Sequence, residues 1–312
     1  GAALPFRRGT NTMDEVRMEF FADGPAMFEA FTSGIITTIR ETNAADWATE
    51  YDFPRVQSGE VVLSEIPHQR PSGITGLVMN TRRAPFDDIR VRQAIQHAVD
   101  KNAVIQGAYS GTAEPSNGII CPGLIGHRTE SGYSYDPAKA KALMDEAGVS
   151  GLTLTLRTLN ASERLLAAQI IQANLQAIGI TVEIIPLDSG PFWEMGQESK
   201  GDTWQDLELW LMRYGAGPDP FEATQWFVAD QVGIWNWERW TSDEFEELYK
   251  KGMAETNPDE RHKIYVRMQE IMEETGGDVW LTHEPEGFIH SDGVDPQFAS
   301  SGEMQLPYFK PA

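Results

Sequence analysis

The sequence predicts an α/β fold, and three observations carry that prediction. LTLTLR (152–157) and ITVEIIPL (180–187) have the alternating, β-branched character of strands. Between them, residues 162–178 place Leu165, Leu166, Ile170, Ile171, Leu175 and Ile178 at helical spacing. The result is a β–α–β unit, whose long crossover implies parallel, right-handed pairing. Elsewhere, strand-like runs alternate with segments opened by helix-start chemistry. Asn257-Pro258-Asp259-Glu260 is the clearest: an N-cap, a first-turn proline and acidic residues that complement the helix dipole. At 312 residues the chain is long enough for about two domains.

In chain order, VRMEFF (16–21) alternates toward strand, and Ala22-Asp23-Gly24-Pro25 turns into a helix that carries Met27, Phe28 and Phe31 on one face and stops at Gly34. IITTIRE (35–41) is strand-like. Residues 44–50 suit a short helix anchored by Trp47 and Tyr51, and 67–73 suit a linker. A strand at 76–80 and a turn at Pro85 lead into a helix from Asp88, and Asp100 caps the next one. Residues 111–135, rich in Gly, Pro and Ser, form a loop of about 20 residues, a length that is often functional. Asp136-Pro137 opens a helix ending at Gly148. Another helix is expected near 189–199, a strand at 206–214, a Gly/Pro loop at 215–220 and helices at 242–255 and 258–275. Short strands at 278–282 and 286–290 precede an irregular tail from Gly293.

Composition removes several classes of function. Lys and Arg number 25 against 47 Asp and Glu, a net charge of -22, which repels phosphate backbones and anionic membranes. No nucleic-acid partner is expected. No apolar run approaches the roughly 20 residues of a membrane helix. A single cysteine, Cys121, excludes an intrachain disulfide, a cysteine-based zinc site and an iron–sulfur cluster. The opening GAALPFRRGT has no leader character and reads like the interior of a longer polypeptide.

Six of the nine tryptophans, Trp204, Trp210, Trp226, Trp235, Trp237 and Trp240, fall within one short stretch beside the Gly/Pro loop. Such a cluster either packs a core or walls a small-molecule pocket. Asp219 and Glu222 have acid/base spacing but read better as a loop turn and a solvated helix start. His283-Glu284-Pro285-Glu286 with His290 lacks the HExxH pattern, and Pro285 breaks the helix that motif needs, so no metal is expected. There is no GxSxG and no P-loop, and Gly215-Ala216-Gly217 is not a dinucleotide fingerprint, so no cofactor is implied. The residues favour a ligand-binding α/β protein with an aromatic pocket over an enzyme.

Four segments, in order, carry a resemblance. GLVMNTRRAPFDDIRVRQAIQHAVDK (76–101), with Asn80, Thr81, Pro85, Phe86, Asp87, Asp88, Val91, Arg92, Gln93 and Ala94, resembles the strand–turn–helix of the family 5 extracellular solute-binding proteins, the peptide/nickel-type receptors of ABC importers. Tyr135-Asp136-Pro137-Ala138-Lys139-Ala140 with Glu146-Ala147-Gly148, the stretch Asn236 to Phe245, and Asp259-Glu260-Arg261 with Tyr265 and Gln269-Glu270-Ile271 match further signatures. Residues 16–54 resemble in particular the branch that includes the binding protein for microcin C.

The resemblance implies a two-lobe periplasmic-binding-protein fold with lobe I incomplete: 1–74 as its second half, 75–282 as lobe II, and 283–312 as the return to lobe I, with hinge strands near 74 and 282. It implies a monomeric receptor, periplasmic or lipid-anchored outside the membrane, that closes on an oligopeptide or peptide-like solute and delivers it to ABC permease subunits. Family peptide receptors commonly line the cleft with a Trp-x-x-Asp-Tyr strand whose acid pairs with the peptide amino terminus. Here Trp210 and Tyr214 match, but Arg213 stands in the acid's place, which suits a carboxylate or phosphate instead. Trp210, Arg213, Tyr214 and Asp219 are therefore expected to line the cleft, with Asp219 able to supply the missing acid, while Asn236 and Trp237 brace the loop or reach the ligand. The alternatives are an oligosaccharide or opine-like sugar conjugate on the same scaffold, a cytosolic sensor domain of a regulator, and a hydrolase.

Overall fold

The structure, a computed structural model, describes residues 12–21, 24–41, 50–66, 73–215, 217, 219–284, 286–298 and 304–312. Nearly all of the helix expected at 44–50 and of the linker at 67–73, and residues 216 and 218 of the Gly/Pro loop, lie outside the described residues. The principal elements run α1 (Gly24–Thr32), β1 (Thr38–Glu41), α2 (Pro54–Gln57), β2 (Val61–Ile66), β3 (Ile74–Met79), α3 (Ile89–Ala98), α4 (Lys101–Ala108), β4 (Glu114–Pro115) and α5 (Pro137–Ala147). They continue with β5 (Thr153–Leu159), α6 (Ser162–Ala177), β6 (Thr181–Leu187), α7 (Ser189–Glu194), β7 (Leu209–Tyr214), α8 (Pro220–Thr224), α9 (Asp243–Ala254) and α10 (Pro258–Thr275). The last strands are β8 (Asp278–His283), β9 (Glu286–Ser291), β10 (Val294–Asp295) and β11 (Lys310–Pro311). Two compact units result: Gly1–Arg70 with Pro285–Ala312, and Pro71–Glu284.

The larger unit is built on a mixed sheet in the order β4-β8-β3-β7-β5-β6. The expected β–α–β unit is its parallel end: β5 pairs in parallel with β6 from Thr153↔Thr181 to Leu159↔Leu187, and α6 makes the crossover. β7 also pairs in parallel with β5, whereas β3 is antiparallel to both β7 and β8. All six residues of β3 are buried, as its nearly unbroken apolar run requires of a strand covered on both faces.

The helix caps fall where the sequence puts them. The carboxylates of Asp88, Asp100 and Asp136 accept from the N–H groups of Arg90, Ala103 and Lys139, and the Asn257 side chain accepts from Asp259 and Glu260. Gly148 ends α5 at φ +71°, a left-handed conformation that costs glycine least. The motif residues that carry the family resemblance are largely buried polar ties. Arg92 donates to the carbonyls of Phe86, Thr275 and Gly276, fastening α3 to the end of α10. Asn80 donates to Leu207, and Gln269 donates to Gly126 and Tyr265 while accepting from Ile120. Each pairs backbone groups that would otherwise be buried unsatisfied.

The smaller unit has a three-stranded antiparallel sheet, β1-β9-β2, registered at Ile39↔Ile289 and Leu63↔Ile289. Successive β9 residues face opposite sides. Ile289 packs in a cluster with Phe31, Ile39, Tyr51 and Val61, and Phe288 packs with Val294 and Phe309 of the tail.

Two expectations are corrected. Residues 15–21 join no sheet among the described residues, because alternation makes a strand only where a partner supplies the ladder. The helix expected over 189–199 stops at Glu194, and a separate 3₁₀ turn covers Glu198–Lys200.

Candidate functional site

The parallel strands bring one set of carboxyl ends together. β6 ends at Leu187 and leads into α7, which carries Trp193; β7 ends at Tyr214 and leads into the Gly/Pro loop. In open α/β sheets ligands bind outside such strand ends. Here they meet a cleft of about 200 Å³, lined by Trp193, Met212, Arg213, Tyr214, Gly215, Trp226 and Trp235.

Its walls are indoles packed edge to face. Trp235 lies 6.4 Å from Trp193 and 6.1 Å from Trp226, at interplanar angles of 68° and 76°. Trp226 is anchored by its N–H, which donates to the Gly215 carbonyl at 3.2 Å. Behind Trp235, Trp237 stacks at 6.0 Å with its own N–H on the Ile234 carbonyl. Trp237 in turn packs 6.4 Å from Trp210, a fully buried residue of β7. Asn236 donates to the carbonyls of Phe227 and Trp240, pinning the loop that presents Trp235.

Tyr214 lines the cleft with its ring 5.1 Å from Phe227 and 5.8 Å from Trp280. Burial, then the nearby carboxyls of Asp278 and Glu238, push its hydroxyl well above the usual tyrosine range, so it stays a neutral hydrogen-bonding group. Arg213 reaches the cleft wall at the strand's end, but alternation along β7 turns its side chain to the face opposite Met212 and Tyr214. It lies across Gly73, where a Cβ would stand 2.0 Å from its Nε, and that nitrogen donates to the buried Glu284 at 3.0 Å. Glu284 also accepts from Thr282 at 2.6 Å. The position that resembles an amine-binding acid thus holds a charge-compensated Arg–Glu pair.

Of the six expected site residues, the structure brings Arg213 and Tyr214 to the cleft. Trp210, Asn236 and Trp237 stand behind it and set its wall. Asp219 is engaged elsewhere: it caps α8 through the Phe221 N–H and pairs with Arg261 at 2.6 Å. Burial raises its pKa, but those two donors outweigh burial and hold the carboxyl below its ordinary value. Asp219 is therefore not positioned as the substitute acid. Trp204 and Trp240 are structural: the Arg239 guanidinium sits 3.9 Å over the Trp204 ring, and the Trp240 N–H donates to Thr275. The sequence reading missed Trp193 and Met212. The signal for Trp193 was its place just past the end of a parallel strand. Glu284, weighed as part of a metal motif, serves instead as the counter-ion of Arg213. Among the described residues no three His, Cys, Asp or Glu side chains gather as metal ligands.

Comparison with known proteins places this architecture. Heme-binding protein A of Haemophilus influenzae is 27% identical over 273 residues, 85% of this chain and 48% of that protein. The dipeptide-binding protein of Escherichia coli is 29% identical over 215 residues, 66% of this chain and 39% of that protein. The solved PBP AgaA from A. tumefaciens R10, in complex with agropinic acid, matches 98% of this chain and 62% of its own with a TM-score of 0.79 at 25% identity. The fold is thus that of the two-lobe periplasmic binding proteins, and the chain spans about half the length of the curated relatives it matches or less. Residues 6–233 match the family model of the bacterial extracellular solute-binding proteins, family 5 Middle, and the chain belongs to that family.

Proposed function

We propose that this chain supplies the aromatic half of a solute receptor for an ABC importer, acting outside the cytoplasm and carrying out no chemistry of its own. Its cargo is an oligopeptide or peptide-like compound. Trp193, Met212, Tyr214, Trp226 and Trp235 take an apolar or planar group of the solute, while Arg213 lies at the rim. The lobe boundaries near 74 and 282 act as hinges, and closure commits the solute before delivery to the permease. The observation that carries this reading is the indole-walled cleft at the carboxyl ends of β6 and β7 in a family 5 chain. Sugar rings also stack on indoles. The agropinic acid complex of a protein matching 98% of this chain therefore supports a second reading, an opine-like sugar conjugate.

Titration of the purified chain with dipeptides, tripeptides and an opine panel, followed by tryptophan fluorescence and native mass spectrometry, tests both. Peptide binding that Trp235→Ala weakens by roughly tenfold, about 1.4 kcal/mol, supports the first reading. Binding of opines alone moves the conclusion to the second. Turnover of any ligand refutes both.

A further inference from the structure

The long Gly-, Pro- and Ser-rich loop of residues 111–135 stands out in the sequence, and solute capture at the aromatic cleft makes no use of it. Its last part, with α3, α5 and α10, encloses a second cleft of about 410 Å³ in the larger unit, and the two clefts share no lining residue. Some of its polar groups hold the loop in place. Glu273 of α10 accepts from the Arg128 guanidinium at 2.6 Å, from the Ser131 hydroxyl and from the Gly132 N–H at 3.1 Å. His97 of α3 donates through Nδ1 to the Ser134 carbonyl at 2.8 Å, and its ring lies 4.8 Å from that of Tyr133.

Charge of both signs is left over. The Arg128 side chain is only 10% exposed, yet its Nη1 has no hydrogen-bond partner among the described residues. A buried guanidinium nitrogen without an acceptor is costly unless a ligand supplies one. Lys139, exposed in the first turn of α5, adds an ammonium that makes no ion pair among the described residues. On α10, Glu270 and Glu274 line the same cleft and share one guanidinium, that of Arg267, at 3.5 and 3.1 Å. Arg267 also pairs with Glu244 at 2.8 Å, so one positive charge serves three carboxylates and that wall stays anionic. We propose that this cleft binds a free α-amino acid with an apolar side chain. Its carboxylate meets Arg128 and Lys139, its ammonium meets Glu270 and Glu274, and its side chain packs on Leu143 and the Tyr133 ring. A simple anion or cation would satisfy one wall and be repelled by the other. The site does not depend on which solute the aromatic cleft takes.

The test titrates the 312-residue chain with L-leucine, with 4-methylpentanoate, which lacks the amino group, and with isoamylamine, which lacks the carboxylate. NMR follows the backbone amides and the indole N–H groups. Leucine should shift the amides of Gly132, Lys139 and Leu143 saturably, and each analogue should bind at least about tenfold more weakly. Lys139→Ala and Glu274→Gln, both at exposed positions, should each weaken leucine by about fivefold. Shifts confined to the indole N–H groups of Trp193, Trp226 and Trp235 would assign leucine to the aromatic cleft and overturn the proposal. So would the absence of a saturable shift at millimolar leucine, equal binding of either analogue, or unchanged affinity in either variant.

Discussion

The two units solve the same problem to different degrees. In Pro71–Glu284 a six-stranded sheet is covered well enough that every residue of β3 is buried, and its apolar cluster runs from Ile74 through Trp210 and Trp237 to Met272 and Trp280. In Gly1–Arg70 with Pro285–Ala312 the sheet has three strands, its two apolar clusters are small, and Val16, Met18 and Phe20 face solvent. Stability within a fold follows buried apolar area and satisfied backbone, so it is distributed unevenly here. A precise pocket needs walls that do not move. The aromatic cleft belongs to the well-covered unit.

The sharpest way to break that comparison is to empty one core at a time. Trp237→Ala should cost about 3–5 kcal/mol and abolish solute binding, because Trp237 is 2% exposed and backs Trp235. Phe31→Ala, at 1% exposure, should lose amide protection in β1, β2 and β9 while leaving β5 to β7 protected. Global loss of protection in the second variant would mean that the two units are not energetically distinct.

Next in size is a pH effect confined to the larger unit. Glu238 and Asp278 are both about 1% exposed. Burial pushes the Glu238 carboxyl up to about 7, and burial together with the Glu238 charge pushes Asp278 well above its ordinary value. Both folded pKa values lie above the unfolded ones, so the folded state binds more protons. This contribution is most favourable below about pH 4 and is lost as pH rises through about 7. Glu238→Gln removes one titration and should become progressively more stable relative to the parent chain as pH rises from 5 to 8. Urea melts across that range check it, and a pH-independent difference would refute it.

Arg213→Met should cost about 2 kcal/mol, because it leaves the buried Glu284 carboxylate without its ion pair. Adding Glu284→Gln should recover most of that loss. A double-mutant cycle that shows no coupling would mean that the pair contributes nothing. Smallest is Asp219→Ala, which removes the α8 cap and the Arg261 pair for about 1 kcal/mol and should leave solute affinity unchanged. A large loss of affinity with unchanged urea midpoint would return Asp219 to the binding site.

Much of the fold is legible locally. The β–α–β periodicity, the caps at Asp88, Asp100, Asp136 and Asn257, and the stop at Gly148 depend on residues within a few positions of one another. The site is less legible, because its members meet only through sheet order. Trp193, on α7, and Trp235, on the loop before α9, are 6.4 Å apart yet distant in sequence. Arg213 and Glu284 meet at 3.0 Å because β7 and β8 both flank β3. Asp219 reads as an available acid in sequence, and Arg261, 42 residues on, takes it.

The sequence by itself determined the α/β class, the capped helix starts at Asp88, Asp100, Asp136 and Asn257, and the family motifs, since these rest on periodicity and short-range hydrogen bonding. Only the tertiary structure decided which tryptophans wall the cleft, which carboxylate neutralises Arg213, and that residues 15–20 join no sheet among the described residues. Each of those depends on which strand or helix comes to lie beside another, and no local pattern of residues encodes that neighbour.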